Sequence, residues 1–396
     1  MSADWPSRLA ERAQARRAGG LWRQRRTWRP ARGVRDFAGN DYLGLASDPR
    51  LAEAMAAGAR RFGAGARASH LVNGHLDVHE ALECRLAALT GRPRALLFST
   101  GYMANLGALQ ALCDPETRVF QDRLNHASLL DGAALSGAPS RRFHHRDLCD
   151  LDRLLGRAPA AAPRLVVSDG VFSMDGDVAD IAGLAAISRH HGAWLMIDDA
   201  HGLGVLGDHG DGCVGRAHGL DDVPILVGTL GKALGTGGAF VAGSAELIEH
   251  LIQFARPYVY TTAQPPGVAA ATLKALELLA DEPERRSRLH HLIARFRAEA
   301  SDLGLPLVES PSPIQPLVLG DSRRVMAWAE RLAERGLQVG AIREPTVPRG
   351  QARLRITLCA AHGDDDLEAL LAGLANCQAA EAAGHERVAN AEEATP

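Results

Sequence analysis

Lysine is nearly missing from this chain. Of its 44 basic residues only Lys232 and Lys274 are lysine, so ordinary positive surface charge is written as arginine. Other shortages narrow the field further. Aromatic residues make up only 5%. No run approaches the roughly 18 uncharged apolar residues of a membrane span. The start, Met1-Ser-Ala-Asp-Trp5, lacks the apolar core of a secretory signal. Six cysteines lie scattered at 84, 113, 149, 213, 359 and 377; without paired spacing they predict reduced thiols in a cytoplasm rather than a disulfide or zinc framework. With 46% apolar residues and a net charge of −3, the composition is that of a soluble globular protein. At 396 residues it exceeds one typical core and should divide into two lobes.

What is present then gains weight. An amine can lose its proton and act as a nucleophile, which guanidinium cannot do. Lys274 lies in a helical pattern with Glu277 one turn on and reads as a solvated face. Lys232 instead sits in Gly228-Thr-Leu-Gly-Lys-Ala-Leu-Gly-Thr-Gly-Gly238, after the apolar run Pro224–Val227. A glycine-rich bend at the end of a buried strand is a poor place for a solubilising charge, so Lys232 is the candidate covalent or phosphate-binding lysine. Two look-alike motifs fail. Gly202-Leu-Gly-Val-Leu-Gly207 has dinucleotide-binding spacing, but the sequence after it, Asp208-His-Gly-Asp-Gly, cannot open the required helix. Lys232 is no P-loop lysine either, because Leu226 replaces the first glycine and Ala233 stands where Ser or Thr is needed.

Between about residues 90 and 245, short apolar runs alternate with helical stretches. The expected strands are Ala95–Phe98, Leu165–Ser168, Trp194–Ile197, Ile225–Val227 and Ala239–Ala242, apolar enough to be buried on both faces of a mainly parallel sheet. Helices are expected at Val78–Leu89 (opened by Asp77 with capping-box-like spacing), Met103–Leu112 and Ile181–His190. After about residue 285 the texture becomes that of a smaller α+β unit, with strands near 314–319, 337–342 and 352–358 and a last helix over 364–377. The expected division is an N-terminal arm over 1–45, a large α/β domain over 46–285, a small α+β domain over 286–380 and a disordered Ala/Glu-rich tail over 381–396. The first 35 residues hold ten arginines and three tryptophans. A nucleic-acid arm would need basic support elsewhere, which the net acidic remainder does not give. A transit peptide is a second reading. An amphipathic helix over a binding cleft is favoured, since Leu9, Ala10 and Ala13 fall at helical spacing.

The chemistry gathers at strand ends. Asp198-Asp-Ala-His201 and Lys232 follow consecutive strands at the carboxyl edge of the sheet, where open α/β folds bind ligands. A buried carboxylate near a reactive lysine is what pyridoxal phosphate requires, since the carboxylate keeps the pyridine nitrogen protonated. Phe98-Ser-Thr-Gly-Tyr102 places small residues at a helix N-terminus, a site for the cofactor phosphate. His126, in Asp122-Arg-Leu-Asn-His126, could stack on a flat ring.

Asn40-Asp-Tyr-Leu-Gly-Leu45, Ser173-Met-Asp-Gly-Asp177, Asp198-Asp-Ala-His201 and Thr229-Leu-Gly-Lys232 jointly resemble the successive signatures of the α-oxoamine synthase family of fold-type I pyridoxal-phosphate enzymes, over nearly the whole chain. The resemblance implies a large domain with a mainly parallel seven-stranded sheet and a smaller α+β C-terminal domain. It implies Lys232 as cofactor-bearing lysine and general base, Asp198 on the pyridine nitrogen, His201 on the phenolic oxygen and His126 over the ring. Gly101, Tyr102, Ser173 and Thr229 would contact the cofactor. Family members are homodimers with shared active sites, and Thr262 would reach the neighbouring subunit's phosphate. Gln253–Arg256, Ile314–Leu317 and Ala341–Pro348 resemble the members that condense L-alanine with a pimeloyl thioester, carried by coenzyme A or a carrier protein, in biotin synthesis. By that likeness Arg23 meets the acyl-chain end, Arg343 and Thr346 line the substrate site, and Arg355 with Asn40 holds the amino-acid carboxylate. No metal, membrane or nucleic acid is implied. The rival readings are a sibling that uses glycine with a different acyl thioester, and a binding protein that kept the fold without catalysis. One departure is Gly63-Ala-Gly-Ala-Arg-Ala-Ser-His70, where the family usually shows Gly-Ser/Ala-Gly-Gly-Ser/Ala.

Overall fold

The computed structural model describes residues 4–19, 21–23, 25, 27 and 33–393. Its strands, in chain order, are β1 (Arg35–Phe37), β2 (Arg94–Phe98), β3 (Arg118–Asp122), β4 (Ser140–Phe143), β5 (Arg164–Asp169), β6 (Trp194–Asp198), β7 (Ile225–Thr229), β8 (Ala239–Gly243), β9 (Ile314–Gly320), β10 (Leu337–Ile342) and β11 (Ala352–Thr357). Seven form one sheet in the order β2-β8-β7-β6-β5-β3-β4. Only β8 runs antiparallel, between β2 and β7. The carboxyl ends of β2, β3, β5, β6 and β7 therefore share one edge, which delivers Phe98, Asp122, Asp169, Asp198 and Thr229 to it.

Helices cover both faces, as a parallel sheet with two apolar sides requires. On one face Leu96, Val167, Met196, Val227 and Val241 pack with Ala104, Ala108, Leu247 and Leu251. On the other, Val166, Leu195, Ile197 and Leu226 pack with Leu151, Leu155, Leu184 and Ala185. Each such fully buried Val, Leu, Ile or Met side chain contributes about 1.5–3 kcal/mol. The five expected strands form, each extended by one or two residues. Two more appear that the apolar pattern does not mark: β3, Arg-Val-Phe-Gln-Asp, and β4, Ser-Arg-Arg-Phe, an edge strand whose first three residues are exposed.

The second sheet has the order β1-β10-β11-β9, with β1 parallel to β10 and the other pairs antiparallel. A strand of the N-terminal arm thus belongs to the small sheet, and the chain then crosses to the large lobe through Asn40–Leu45.

Three local expectations are corrected. Residue 76, not Asp77, caps helix Asp77–Thr90: the main-chain N–H of Leu76 donates to His79 Nδ1, while Asp77 pairs with Arg61 on the surface. The N-terminal helix forms over Trp5–Ala18 but buries no side chain; Trp5 and Leu9 remain exposed, so it does not roof a cleft within this chain. The tail expected to be disordered continues the last helix to Glu393, because Ala and Glu are strong helix formers and extension needs no new nucleus. Residues 394–396 of that tail, and residues 1–3, 20, 24, 26 and 28–32 of the arm, lie outside the described residues.

Candidate active site

Lys232 occupies the turn after β7. The turn is closed by Leu230 N–H to Gly238 O at 2.9 Å and Gly235 N–H to Lys232 O at 2.9 Å. Gly235 is required twice over. Its φ is +65°, and an added Cβ would lie 2.4 Å from the Ala46 nitrogen. That contact seats the lysine turn on the Asn40–Leu45 crossing. Thr229 Oγ1 braces the same turn, donating to Gly238 O and accepting from Gly231 N–H.

The lysine amine lies 2.7 Å from His201 Nε2, and His201 Nδ1 lies 2.5 Å from the Tyr42 hydroxyl. Lysine can only donate while charged, so Nε2 accepts and Nδ1 carries the proton toward Tyr42. Tyr42 then donates to Asn40 Oδ1 at 3.3 Å. Burial, and then the charge of Lys232, hold His201 well below the ordinary histidine range, which fits a neutral imidazole. Burial raises Tyr42 to about 12, keeping its proton in place. Burial also lowers Lys232 to about 8, against the pull of Asp198 and Asp169, so a useful fraction of amine is neutral near neutrality.

Asp198 accepts from Asn105 Nδ2 at 2.6 Å and from Ala200 N–H at 3.0 Å. Asn105 also donates to Ser128 Oγ at 2.8 Å, which lies 2.7 Å from His126 Nδ1. Behind Asp198, Asp199 accepts from the Cys213 N–H and thiol. Burial raises Asp199 to about 7.

Arg355, on β11, is buried. It donates from Nε to Ser173 O at 2.7 Å, from one terminal nitrogen to Thr357 Oγ1 at 3.1 Å and from the other to Asn40 Oδ1 at 3.2 Å. Every acceptor is neutral. Its neighbour on the same strand face, Arg353, is neutralised by Asp175 at 2.5 Å, whereas no carboxylate pairs with Arg355 among the described residues. A buried guanidinium without an anion is costly, which marks it as a receptor for one.

The fourth part is the helix Gly101–Leu112. Thr100 Oγ1 caps Met103 N–H at 3.2 Å, while the N–H groups of Gly101 and Tyr102 have no acceptor among the described residues. An added Cβ on Gly101 would meet nothing within 4 Å. These free donors and the helix dipole suit a phosphate. Tyr102 meets His126 edge-on, centroids 6.4 Å apart. Nucleophilic amine, buried carboxylate, ring-edge histidines and phosphate-type helix end together fit pyridoxal phosphate.

Asn40, Ser173, His201, Lys232 and Arg355 are thus joined directly or through Tyr42, while Asp198 is joined to His126 through Asn105 and Ser128. Among the described residues, Thr262, Arg343, Thr346 and Arg23 make no hydrogen bond to any of these. Thr262 is exposed and bridges to Ser69. Arg343 is half-buried and Thr346 exposed in the turn after β10, joined by Thr346 N–H to Arg343 O. Arg23 is exposed. Residue-by-residue reading missed Tyr42, Asn105, Ser128 and Asp169. Tyr42 lay inside a quoted signature, and Asp169 ends a strand just as Asp198 does; Asn105 and Ser128 carry no local signal.

Lys274 pairs with Glu277 at 2.9 Å, as its helical spacing implies. The segment after Gly202 runs in turns through Arg216, so it offers no dinucleotide site.

Residues 32–374 match the family model for aminotransferase class I and II. The chain is 74% identical over 379 residues to 8-amino-7-oxononanoate synthase of Chromohalobacter salexigens, covering 96% of this chain and 98% of the relative. Among solved structures, a serine palmitoyltransferase variant from S. paucimobilis with a bound PLP–myriocin aldimine superposes with a TM-score of 0.87 at 31% identity, covering 95% of this chain and 99% of that one. The 8-amino-7-oxononanoate synthase of Francisella tularensis gives 0.77 at 32% identity, covering 89% and 99%. The chain belongs to the aminotransferase class I and II family, and within it to the pyridoxal-phosphate-dependent α-oxoamine synthases of the 8-amino-7-oxononanoate synthase branch.

Proposed function

We propose that this protein condenses L-alanine with a pimeloyl thioester, releasing carbon dioxide and the free thiol and forming 8-amino-7-oxononanoate on the way to biotin. The observation that carries the reading is the Lys232 amine, 2.7 Å from His201 and at one sheet edge with Asp198, beside a buried Arg355 that has only neutral partners.

Pyridoxal phosphate, when bound, supplies an electron sink that lets the amino acid lose its α-proton. Lys232 would hold it, with Asp198 at the pyridine nitrogen, His201 at the phenolic oxygen and His126 over the ring. Gly101 and Tyr102 N–H groups would hold the phosphate, and Ser173 and Thr229 would contact the cofactor. Arg355 and Asn40 take the alanine carboxylate; the planar guanidinium suits that two-point grip. Lys232 in its neutral form then takes the alanine α-proton. The α-carbon bonds to the thioester carbonyl carbon, the thiol leaves, the original carboxylate departs as carbon dioxide, and the proton returns. Arg343 and Thr346 line the substrate side, and Arg23 meets the distal carboxylate of the acyl chain.

The protein acts as a cytoplasmic homodimer in this reading, with Thr262 reaching the partner's phosphate. Thr262 makes no side-chain hydrogen bond among the described residues, and Leu71, Val72 and Tyr260 are exposed nearby in sequence or across the Ser69 bridge, an apolar surface fit for burial. Residues 46–285 serve as the cofactor domain and 286–380 as the smaller domain.

Product analysis by mass spectrometry tests the reading, with alanine or glycine offered against pimeloyl, acetyl and succinyl thioesters. Alanine with pimeloyl thioester should give the dominant product; turnover confined to glycine would refute it.

A further inference from the structure

Asp169 ends β5 in register with Asp198 at the end of β6. Adjacent strands run about 4.8 Å apart, so two carboxylates leave the sheet side by side, and both are buried. Asp169 Oδ2 accepts the main-chain N–H of His126 at 2.6 Å. Asn125 makes two more bonds to the same strand: Nδ2 donates to Val167 O at 2.9 Å, and Oδ1 accepts from Asp169 N–H at 3.1 Å. The turn before His126 is thereby stitched to β5. From the ring side, Ser128 Oγ sits 2.7 Å from Nδ1 and receives Asn105, whose other hydrogen goes to Asp198. Asp198, Asn105, Ser128, His126 and Asp169 form one hydrogen-bonded chain whose two ends are register neighbours.

We propose that Asp169 is a positioning residue for the condensation, acting through the main chain of His126 to fix the imidazole relative to Asp198. The proposal rests on the roles given above to His126 and Asp198. Asp169 works as a neutral acid. Two ionised carboxylates cannot share a desolvated strand end cheaply, and Asp198 is the one whose charge the reaction uses. Burial, and then the charge of Asp198, push Asp169 well above the ordinary carboxylate range. The retained carbonyl oxygen is enough to accept the His126 N–H.

Neutrality makes the proposal testable by isosteric exchange. Asp169→Asn keeps an acceptor oxygen without charge, and should keep kcat within about threefold while leaving the visible-band circular dichroism of the holoenzyme unchanged. Asp169→Ala removes the acceptor. It should lower kcat by about ten- to a hundredfold, the effect of losing one buried hydrogen bond at a reacting site, with a smaller change in KM for alanine and an altered visible dichroism. Adding Asp169→Ala to His126→Ala should cost no more than about threefold beyond His126→Ala alone, since the residue to be positioned is gone. An Asn variant as damaged as the Ala variant, or fully additive losses in the double variant, would overturn the assignment while leaving the role of His126 intact. A His126→Ala enzyme with normal turnover and dichroism would sink the assignment together with the role of His126 on which it rests.

Discussion

Replacing Arg355 should separate the two substrates. Of its N–H groups three are engaged, by Ser173 O, Thr357 Oγ1 and Asn40 Oδ1, which leaves one on each terminal nitrogen. Two parallel N–H groups match the two oxygens of a carboxylate. Hydrogen bonds to charged groups contribute about 1.5–3 kcal/mol each, so the pair supplies at least about 3 kcal/mol, near a hundredfold in affinity. Arg355→Ala should therefore weaken L-alanine binding by about two orders of magnitude, while the KM for pimeloyl thioester moves only a few-fold. Arg355→Lys keeps the charge but not the fork and should fall between, about tenfold down. Titrating the visible absorbance of each holoenzyme with L-alanine gives the binding change, and steady-state kinetics with varied thioester gives the other arm. Because the same guanidinium also bonds Ser173 and Asn40, the melting temperature of each variant is the control. Alanine affinity within threefold of the parent in Arg355→Ala, with fold intact, would show that the carboxylate is held elsewhere.

Borohydride should bleach the visible band and fix the cofactor mass on Lys232, not Lys274, by peptide mass spectrometry; Lys232→Arg should lose all measurable turnover, since guanidinium is neither nucleophile nor base near neutrality. Asp198→Asn should bind cofactor yet lose about 10²-fold or more in kcat, the usual effect of removing an aligned electrostatic partner, and near-normal turnover would point to Asp199. Arg23→Ala should raise the KM for the thioester by no more than about tenfold, because the residue is exposed and surface pairing is weak, and should leave alanine titration unchanged; equal damage to both would assign it to assembly. His145 gives a pH signature. Burial alone would lower it, but its bonds to Asp122 and Asp177 prevail and raise it to about 9 from 6.5. Its contribution, on the order of 3 kcal/mol, is therefore complete below pH 6.5 and lost as pH rises through 9. The melting-temperature gap between the parent and His145→Gln should be widest near pH 6 and close above 9; a constant gap would contradict the linkage.

The sequence is most legible where physical demands are one-sided. β6, β7 and β8 are buried on both faces, so their apolar runs stand out, and Lys232 stands out because its chemistry cannot be done by the arginines around it. β4 was hidden for the opposite reason: it lies at the sheet edge with Ser140, Arg141 and Arg142 exposed, so nothing in its composition needs to be apolar; β3 is buried, but Gln121 and Asp122 interrupt its apolar run. β1 is three residues long and acquires its partner from residues 337–339, some 300 positions away. Asn105 and Ser128 look like ordinary helix polar residues until the fold brings Asn105 to Asp198 across a separation of 93 residues. Asp169 was within reach: the strand-end logic that selected Asp198 applies equally to it. Thr262, Arg343, Thr346 and Arg23 were named through likeness alone, and no hydrogen bond among the described residues ties them to Lys232.

The crossing from β1 to Leu45 sets a mechanical condition. Phe37 is hydrogen-bonded into the small sheet beside Val339, and five residues later Tyr42 is hydrogen-bonded to His201 in the large one. So short a strap has no slack: it can hinge, but it cannot pay out. Separating the lobes by more than a few ångströms would pull the tyrosine off the histidine or peel β1 from its sheet. Loosening of the small lobe should therefore be visible spectroscopically at the lysine before the large lobe yields. A fragment beginning after Tyr42, however well its main sheet folded, would come away with a different environment for Lys232.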